Sequence, residues 1–330
     1  MKRKRKFKIL IIGKKPFTGK NRMGMGGVGV HVVRLTDWLD EQKVNYLFYD
    51  LSLFHLFSFY RSIHNSEIGH LHSSSPYVRL LFSFICKITN TISICTYHGD
   101  LGRFGKIKNL CDFFSIRMMD FPIVLNEYSL KQAIKRNSKS LLISAYIPPI
   151  NNTPLDSTLK DRIRSFCLNY KLIFATNAYA LSYDKNGEEI YGIIQLVDII
   201  KNIPDVGLII SDSSGDYTNY FENNILENVL LIKEPHPFVG VLPFADVFVR
   251  NTSTDGDSLS IHEALDYGVP VITTDVVSRP KGCEVIRRGD TNALKKAIQL
   301  AKSRDQKTVD GGNNNRAEIF DFYMKYVFNY

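Results

Sequence analysis

The chain has 330 residues, a formal net charge of +9, 44 % hydrophobic residues and five cysteines. That length suits two domains of ordinary size, each able to bury its own core, and the apolar content argues against a disordered chain. Cys86, Cys95, Cys111, Cys167 and Cys283 are scattered, odd in number and form no C-x-x-C pair, which argues against a disulfide framework or a cysteine zinc site and favours a reducing compartment.

The chain opens on Lys2, Arg3, Lys4, Arg5 and Lys6, with Lys8 close behind. This cluster reads as a solvated tail or as a contact for an anionic membrane surface. At about 1 kcal/mol per basic residue near an anionic leaflet, it supports reversible peripheral association rather than insertion. The basic residues carry no interleaved aromatics and no reader motif, so no nucleic-acid partner is expected. Phe7–Gly13 reads as a buried strand, too short for the apolar core and cleavage site of a signal peptide. After a polar loop, Gly26-Gly27-Val28-Gly29-Val30-His31 opens a helix striped by Val28, Val32, Leu35 and Leu39. Strands follow at 45–50 and 68–72. His70 and His72 share one face of the latter, but no third ligand stands at a suitable spacing, so no metal is expected. A helix at 77–87 precedes a strand at 91–97 that ends in His98-Gly99-Asp100. The apolar run 77–97 is broken by Arg79, Lys87, Thr89, Asn90 and Thr91, so no transmembrane helix is expected. Further strands at 121–125 and 140–144 flank a helix at 129–136.

Ile147-Pro148-Pro149-Ile150-Asn151-Asn152-Thr153-Pro154 reads as a linker, after which the alternation restarts. Strands are expected at 171–176, 206–210, Val229–Ile232, 246–249 and 269–274. A helix at 188–201 carries Ile190, Ile193, Ile194 and Val197 on one face, and Thr291 can cap a helix faced by Leu294, Ala297, Ile298 and Ala301. Strands alternating with helices in both halves predict an α/β chain of two Rossmann-like parallel-sheet domains. The expected boundaries are 1–150 and 151–315, followed by a terminal segment 316–330 bearing Ile319, Phe320, Tyr323, Val327 and Phe328.

Gly24-Met25-Gly26-Gly27-Val28-Gly29 satisfies G-x-G-x-x-G, and Asp50 ends a strand about twenty residues on. A dinucleotide motif should turn directly out of the first strand, whereas about ten residues separate Gly13 from Gly24. A more informative stretch runs from Arg250 to Asp275. There Asp255-Gly256-Asp257 opens a short helix, Gly268 and Pro270 stop it, and an apolar strand follows. Asp255 and Glu263 stand eight residues apart around a helix N-terminus whose free N–H groups suit a phosphate. Ser260-Ile261-His262-Glu263 also spells a capping box that needs no ligand, and Asp255-Gly256 spells a plain turn. Asp255-Gly256-Asp257 spells D-x-D, a metal-diphosphate motif, although it lies late in the chain and at a helix start.

This stretch resembles the E-G-x-G-L-x-x-x-E-A signature of family 4 retaining glycosyltransferases, with Asp255 for the first acid and Asp257 and Ser258 for the aromatic and the glycine. The continuation Asp275-Val-Val-Ser-Arg279-Pro280-Lys281-Gly282 resembles a bacterial surface-polysaccharide subgroup, such as those assembling lipopolysaccharide or capsule. The resemblance implies a GT-B fold, two Rossmann-like domains facing a cleft, with the terminal helix crossing back to the first domain. It implies hexosyl transfer from a nucleotide-sugar, most commonly a UDP-sugar, without a metal or other cofactor. Glu263 would hold the ribose, and Asp255 and His98 the transferred sugar. Gly26, Gly27 and Gly29, with the Ser258 and Leu259 amides, would approach the diphosphate, and Lys185 and Arg250 would offset its charge. The loop 177–185 has Ala180 and lacks the arginine of many relatives, which singles out Arg250, Arg279 and Lys281 as substitutes. The implied acceptor is a saccharide or polyprenyl-linked hydroxyl, reached from the cytoplasm at the inner face of the cell membrane. A sugar-nucleotide epimerase and a non-catalytic nucleotide-sugar binder share the fold and remain alternatives.

Overall fold

A computed structural model describes residues 7–14, 26–149, 154–184, 186–222, 227–303 and 317–328. The described chain forms two compact units. The first contains 7–14, 26–149 and 317–328, and the second contains the described residues from 154 to 303. Lys2 to Lys6, Gly24 and Lys185 lie outside the described residues.

In chain order the first unit runs β1 (Phe7–Gly13), α1 (Gly27–Glu41), β2 (Tyr46–Asp50), α2 (Leu56–His64), β3 (Ser66–His72), α3 (Pro76–Thr89), β4 (Ile92–Tyr97), α4 (Lys106–Met118), β5 (Phe121–Val124), α5 (Glu127–Ile134) and β6 (Leu141–Leu142). The second runs α6 (Ser157–Cys167), β7 (Leu172–Ala178), α7 (Ile193–Ile200), β8 (Val206–Asp212), α8 (Asp216–Phe221), β9 (Val229–Ile232), β10 (Val247–Arg250), α9 (Leu259–Asp266), β11 (Val271–Thr274), β12 (Cys283–Ile286) and α10 (Thr291–Ser303). The final helix α11 (Glu318–Phe322) returns to the first unit.

Each unit is a six-stranded sheet, ordered β2-β1-β3-β4-β5-β6 in the first and β12-β11-β10-β7-β8-β9 in the second, with every pairing parallel. Both are doubly wound, so each has a point where the chain reverses its direction of travel across the sheet. That point lies between β1 and β3 in the first unit and between β7 and β10 in the second. The strands are covered on both faces and therefore read as near-continuous apolar runs such as Leu10, Ile11 and Ile12, or Leu208, Ile209 and Ile210, all 0 % exposed.

Several elements depart from the periodic reading. The helix expected at 188–201 begins only at Ile193. Gly192 takes a left-handed φ of 62°, and the Glu189 carboxylate accepts the Ile193 and Ile194 amides at 2.9 Å each. A cap borrowed from outside the helix thus sets its start. The cap expected from Thr291 is supplied by Asp290, whose Oδ1 accepts from the Ala293 amide at 2.8 Å. The strand β12 follows too closely on the 279–282 turn to be seen in the sequence. The run 77–97 divides into α3 and β4, and no helix among the described residues is long and apolar enough to cross a membrane.

The terminal segment is bound to the first unit by rings. Phe320 stacks on Trp38 with centroids 4.1 Å apart, and the Tyr323 hydroxyl lies 2.7 Å from His70 Nδ1. Ile319, Phe322, Tyr323 and Val327 share one core cluster with Ile9, Ile11 and Leu39.

Candidate functional site

In the second unit the chemistry collects at the reversal point. β10 ends on Arg250, beside the end of β7, and the Arg250 guanidinium donates to the Asn177 carbonyl at 3.2 Å and lies 5.0 Å above the Tyr191 ring. The loop after β10 is pinned before it turns. Asn251 Nδ2 donates to Gln195 Oε1 at 2.8 Å, and Thr274 Oγ1 donates to the Thr252 carbonyl at 2.7 Å. Asp255 is therefore presented at a defined place, and its Oδ2 lies 2.9 Å from Arg279 Nη1 and 3.5 Å from Arg250 Nε. Arg279 is itself held by its Nε donating to the Thr274 carbonyl at 2.8 Å.

Of the three cations singled out as substitutes for the missing arginine, two thus reach this loop. Lys281 is exposed. Asp255, expected on the sugar, has one oxygen engaged by both arginines, which fixes the two guanidinium groups side by side. Oδ1 turns to the Gly256 amide at 3.2 Å. The second acid of D-x-D, Asp257, accepts from His262 Nε2 at 2.6 Å, so both carboxylates of that motif are engaged by basic side chains of the protein.

The helix that follows settles the capping question. The N-cap of α9 is Ser258, not Ser260, and the Ile261 amide bonds the Ser258 carbonyl at 3.2 Å. A capping box requires its acid three residues after the cap, where Ile261 stands, so Ser260 and Glu263 do not form one. The Ser258 side chain makes no cap bond; its hydroxyl lies 3.1 Å from that of Ser260. The amides of Leu259 and Ser260 thus open the helix without a side-chain acceptor, at the positive end of its dipole. Glu263 sits a turn further on and is 6 % exposed.

The first unit holds a second concentration of chemistry at the carboxyl edge of its sheet. Gly26 is the N-cap of α1, and Gly27 and Gly29 lie in its first turn, where the Gly29 amide bonds the Gly26 carbonyl at 2.9 Å. The glycines open a helix without a capping side chain, at the end of a long connection from β1, so the direct strand-turn-helix of a dinucleotide site is absent. Asp50, the acid of that reading, is spent on a turn, accepting from the Ser52 amide at 2.9 Å and the Ser52 hydroxyl at 2.6 Å.

Around these glycines the fold gathers four histidines, His31, His70, His72 and His98, whose meeting in space their separate sequence positions did not show. His31 Nδ1 donates to the Ala145 carbonyl at 2.7 Å, and His72 Nδ1 lies 3.3 Å from His98 Nε2. His70, on the same strand face as His72, has both ring nitrogens engaged, by Tyr323 and by Thr96 Oγ1 at 2.9 Å. Burial, followed by the neighbouring imidazoles, holds His70, His72 and His98 well below the usual histidine range, so these rings are neutral at pH 7. Gly99, next to His98, has φ +114°, and a Cβ there would overlap the Arg103 guanidinium, whose Nη2 donates to the His98 carbonyl at 3.1 Å. The third nitrogen that spacing alone did not supply is present in space. His31, His72 and His98 each offer one ring nitrogen, all within 4.8 Å of one another, a donor set suited to a borderline-soft divalent ion. In the arrangement seen, the His72–His98 contact orients His98, and His72 Nε2 is buried without a hydrogen-bond partner among the described residues.

No protein-family model matches the chain, and no curated protein does. Solved structures do. HepE from Anabaena, in complex with UDP, aligns with a TM-score of 0.67 at 15 % identity, covering 90 % of each chain. The lipopolysaccharide outer core galactosyltransferase WaaB in its apo form aligns at 0.59 and 14 %, covering 91 % of each. Sucrose-phosphate synthase from Thermosynechococcus elongatus aligns at 0.62 and 14 %, covering 90 % of each. At such identities the likeness bears on architecture, and with two parallel six-stranded sheets flanked by helices the chain has the two-Rossmann GT-B fold.

Proposed function

We propose that the chain is a retaining glycosyltransferase that moves a hexosyl group from a nucleotide-sugar, in first place a UDP-sugar, to an acceptor hydroxyl. The observation that carries this reading is the cluster at the β7–β10 reversal point. Two guanidinium groups are held side by side by Asp255, next to a helix N-terminus without a capping side chain, with the buried carboxyl of Glu263 on the same helix. Two cations and free amides suit a diphosphate, and two carboxylate oxygens suit the vicinal diol of a ribose. The fold is shared with a protein solved with UDP, which adds support for that nucleotide.

In the reaction, the bond between the anomeric carbon and the donor phosphate oxygen breaks. The acceptor oxygen bonds to the same face of that carbon, and the acceptor proton passes to the departing phosphate. Arg250 and Arg279, fixed before the substrate arrives, stabilise the charge that develops on the leaving diphosphate, joined by Lys185. The Ser258 and Leu259 amides serve the same oxygens. Asp255 accepts a hydrogen bond from a hydroxyl of the transferred sugar, and in the first unit His98, neutral and oriented by His72, is available to hydrogen-bond a sugar hydroxyl. No metal is required by this chemistry, because the arginines take the role a divalent ion would fill. The acceptor we favour is a saccharide on a polyprenyl lipid, reached from the cytoplasm by a protein that binds the membrane surface reversibly.

Calorimetric binding of UDP, GDP, UDP-sugars and NAD to the wild type and to Glu263→Ala tests the reading. One nucleoside diphosphate should bind, and the variant should lose that binding with its fold intact. Preference for NAD, or unaltered nucleotide affinity in Glu263→Ala, would overturn it.

A further inference from the structure

One face of the first unit leaves large apolar side chains in solvent. Leu53, Phe54, Leu56 and Phe57, at the entry to α2, are 78, 45, 56 and 72 % exposed. On α3, Tyr77, Phe84 and Ile88 recur at seven and eleven residues from the first, one helical stripe, and are 53, 56 and 60 % exposed. On α4, Ile107, Leu110 and Phe114 recur at three and seven, and are 71, 55 and 52 % exposed. The helices are neighbours, α3 packing on both α2 and α4. Between α3 and α4 an open groove of about 480 Å³ is lined by Tyr77, Leu80, Leu81, Phe84, Phe114 and Met118. Monomeric soluble proteins rarely leave so much contiguous apolar surface without a use.

The charge on the same helices is of one sign. Arg61, Lys87, Lys106, Lys108 and Arg117 are exposed. The three helices contain a single acid, Asp112, and it is buried against Arg79 at 2.8 Å. Apolar side chains interspersed with cations and free of exposed carboxylates match an anionic bilayer, whose headgroups attract the cations while the rings and aliphatic chains enter the acyl boundary. A second copy of this chain would set the same five cations against themselves.

We propose that the outer face of α2, α3 and α4 is the surface by which this protein docks on an anionic lipid bilayer. This rests on the lipid-linked acceptor reading above and moves the principal contact from the basic N-terminal residues to the folded unit. The aromatic and aliphatic side chains supply the area and the basic residues the selectivity for anionic lipid. Binding is therefore weakened by salt but not abolished, as it would be for a purely basic tail.

The test uses the full chain and co-sedimentation with vesicles of phosphatidylcholine alone or mixed with phosphatidylglycerol. The wild type should bind the mixed vesicles at least about tenfold more tightly than the neutral ones. Phe57→Ser/Leu110→Ser and, separately, Lys106→Gln/Lys108→Gln/Arg117→Gln should each lose about tenfold or more on mixed vesicles. A variant with Lys2, Arg3, Lys4, Arg5 and Lys6 all changed to Gln should lose less. Wild-type affinity for mixed vesicles in the helix variants overturns the proposal, as does loss of binding only in the tail variant. Concentration-dependent dimerisation that the Phe57→Ser/Leu110→Ser variant abolishes, without vesicle binding by the wild type, also overturns it and makes the face a contact between copies. Calorimetry with UDP on the same preparations separates the two readings, because a failure of UDP binding would strike the transferase proposal and leave the vesicle result standing.

Discussion

Replacing Asp255 by alanine probes whether its carboxylate organises the arginines or serves substrate alone. Its Oδ2 lies 2.9 Å from Arg279 and 3.5 Å from Arg250, in side chains that are 9, 2 and 13 % exposed respectively. Alanine would leave two guanidinium groups side by side, the more buried one retaining its bond to the Thr274 carbonyl. Breaking a buried pair from one side costs about 3–5 kcal/mol, because the remaining charge keeps its desolvation penalty without its partner. The lower end applies here, since Arg250 keeps the Asn177 carbonyl and its place above Tyr191. For a unit of this size each kcal/mol moves the melting midpoint by about 2–4 °C, so a loss of about 3 kcal/mol predicts a fall of about 6–12 °C. Scanning calorimetry should show this fall in the transition of the second unit. Asp255→Ala/Arg279→Met, which removes the stranded charge as well, should recover more than half of it. A shift below about 2 °C in the single variant, with no recovery in the double one, would refute the claim that this carboxylate holds the cluster together.

Other outcomes follow from the same geometry. Arg279→Gln should weaken UDP binding by about tenfold or more in calorimetry, whereas Lys281→Gln, an exposed change, should leave it within about twofold. The folded-state values of His70, His72 and His98 lie below that of a free imidazole, so the unfolded chain binds more protons as pH falls past about 6.5. The stability of the first unit is accordingly complete above that pH. It should drop by up to about 3 kcal/mol between pH 6.5 and 5.5 in urea unfolding, a slope that His72→Phe should reduce by about a third. Gly192 has φ +62°, and a Cβ would meet the Asn251 carbonyl and amide group, so Gly192→Ala should cost about 2–4 kcal/mol in chemical denaturation.

The alternation of strands and helices was legible because strands buried on both faces must be apolar throughout. Runs such as 9–12 or 206–210 fit strands buried on both faces. Elements at the surface were harder to read. α2, α4, α6 and α8 were missed; α4 carries apolar residues on its outer face, which weakens the contrast by which an amphipathic helix is recognised, and α8 is only six residues long. The late start of α7 was invisible because Glu189, outside the helix, caps it in space. Among the site residues, Asp255, Glu263, His98 and Arg250 stood out by their spacing and by the motif they resemble. The pairing of Asp255 with Arg279 did not, because the two lie on separate loops that only the β10–β11 pairing brings together.

The histidines show the division most clearly. From sequence, His70 and His72 were two residues on one strand face, with no third ligand within reach. Strand order alone places the end of β3 beside the end of β4 and under the first turn of α1, which brings His31 and His98 to His72 while Tyr323 and Thr96 occupy His70. Local preferences act over a few residues, so the sequence by itself determined that the chain folds into two parallel α/β units and which loops carry polar chemistry. Which of those loops meet depends on the order of strands across each sheet. That order is set by packing between residues far apart in the chain, and only the tertiary structure decided it.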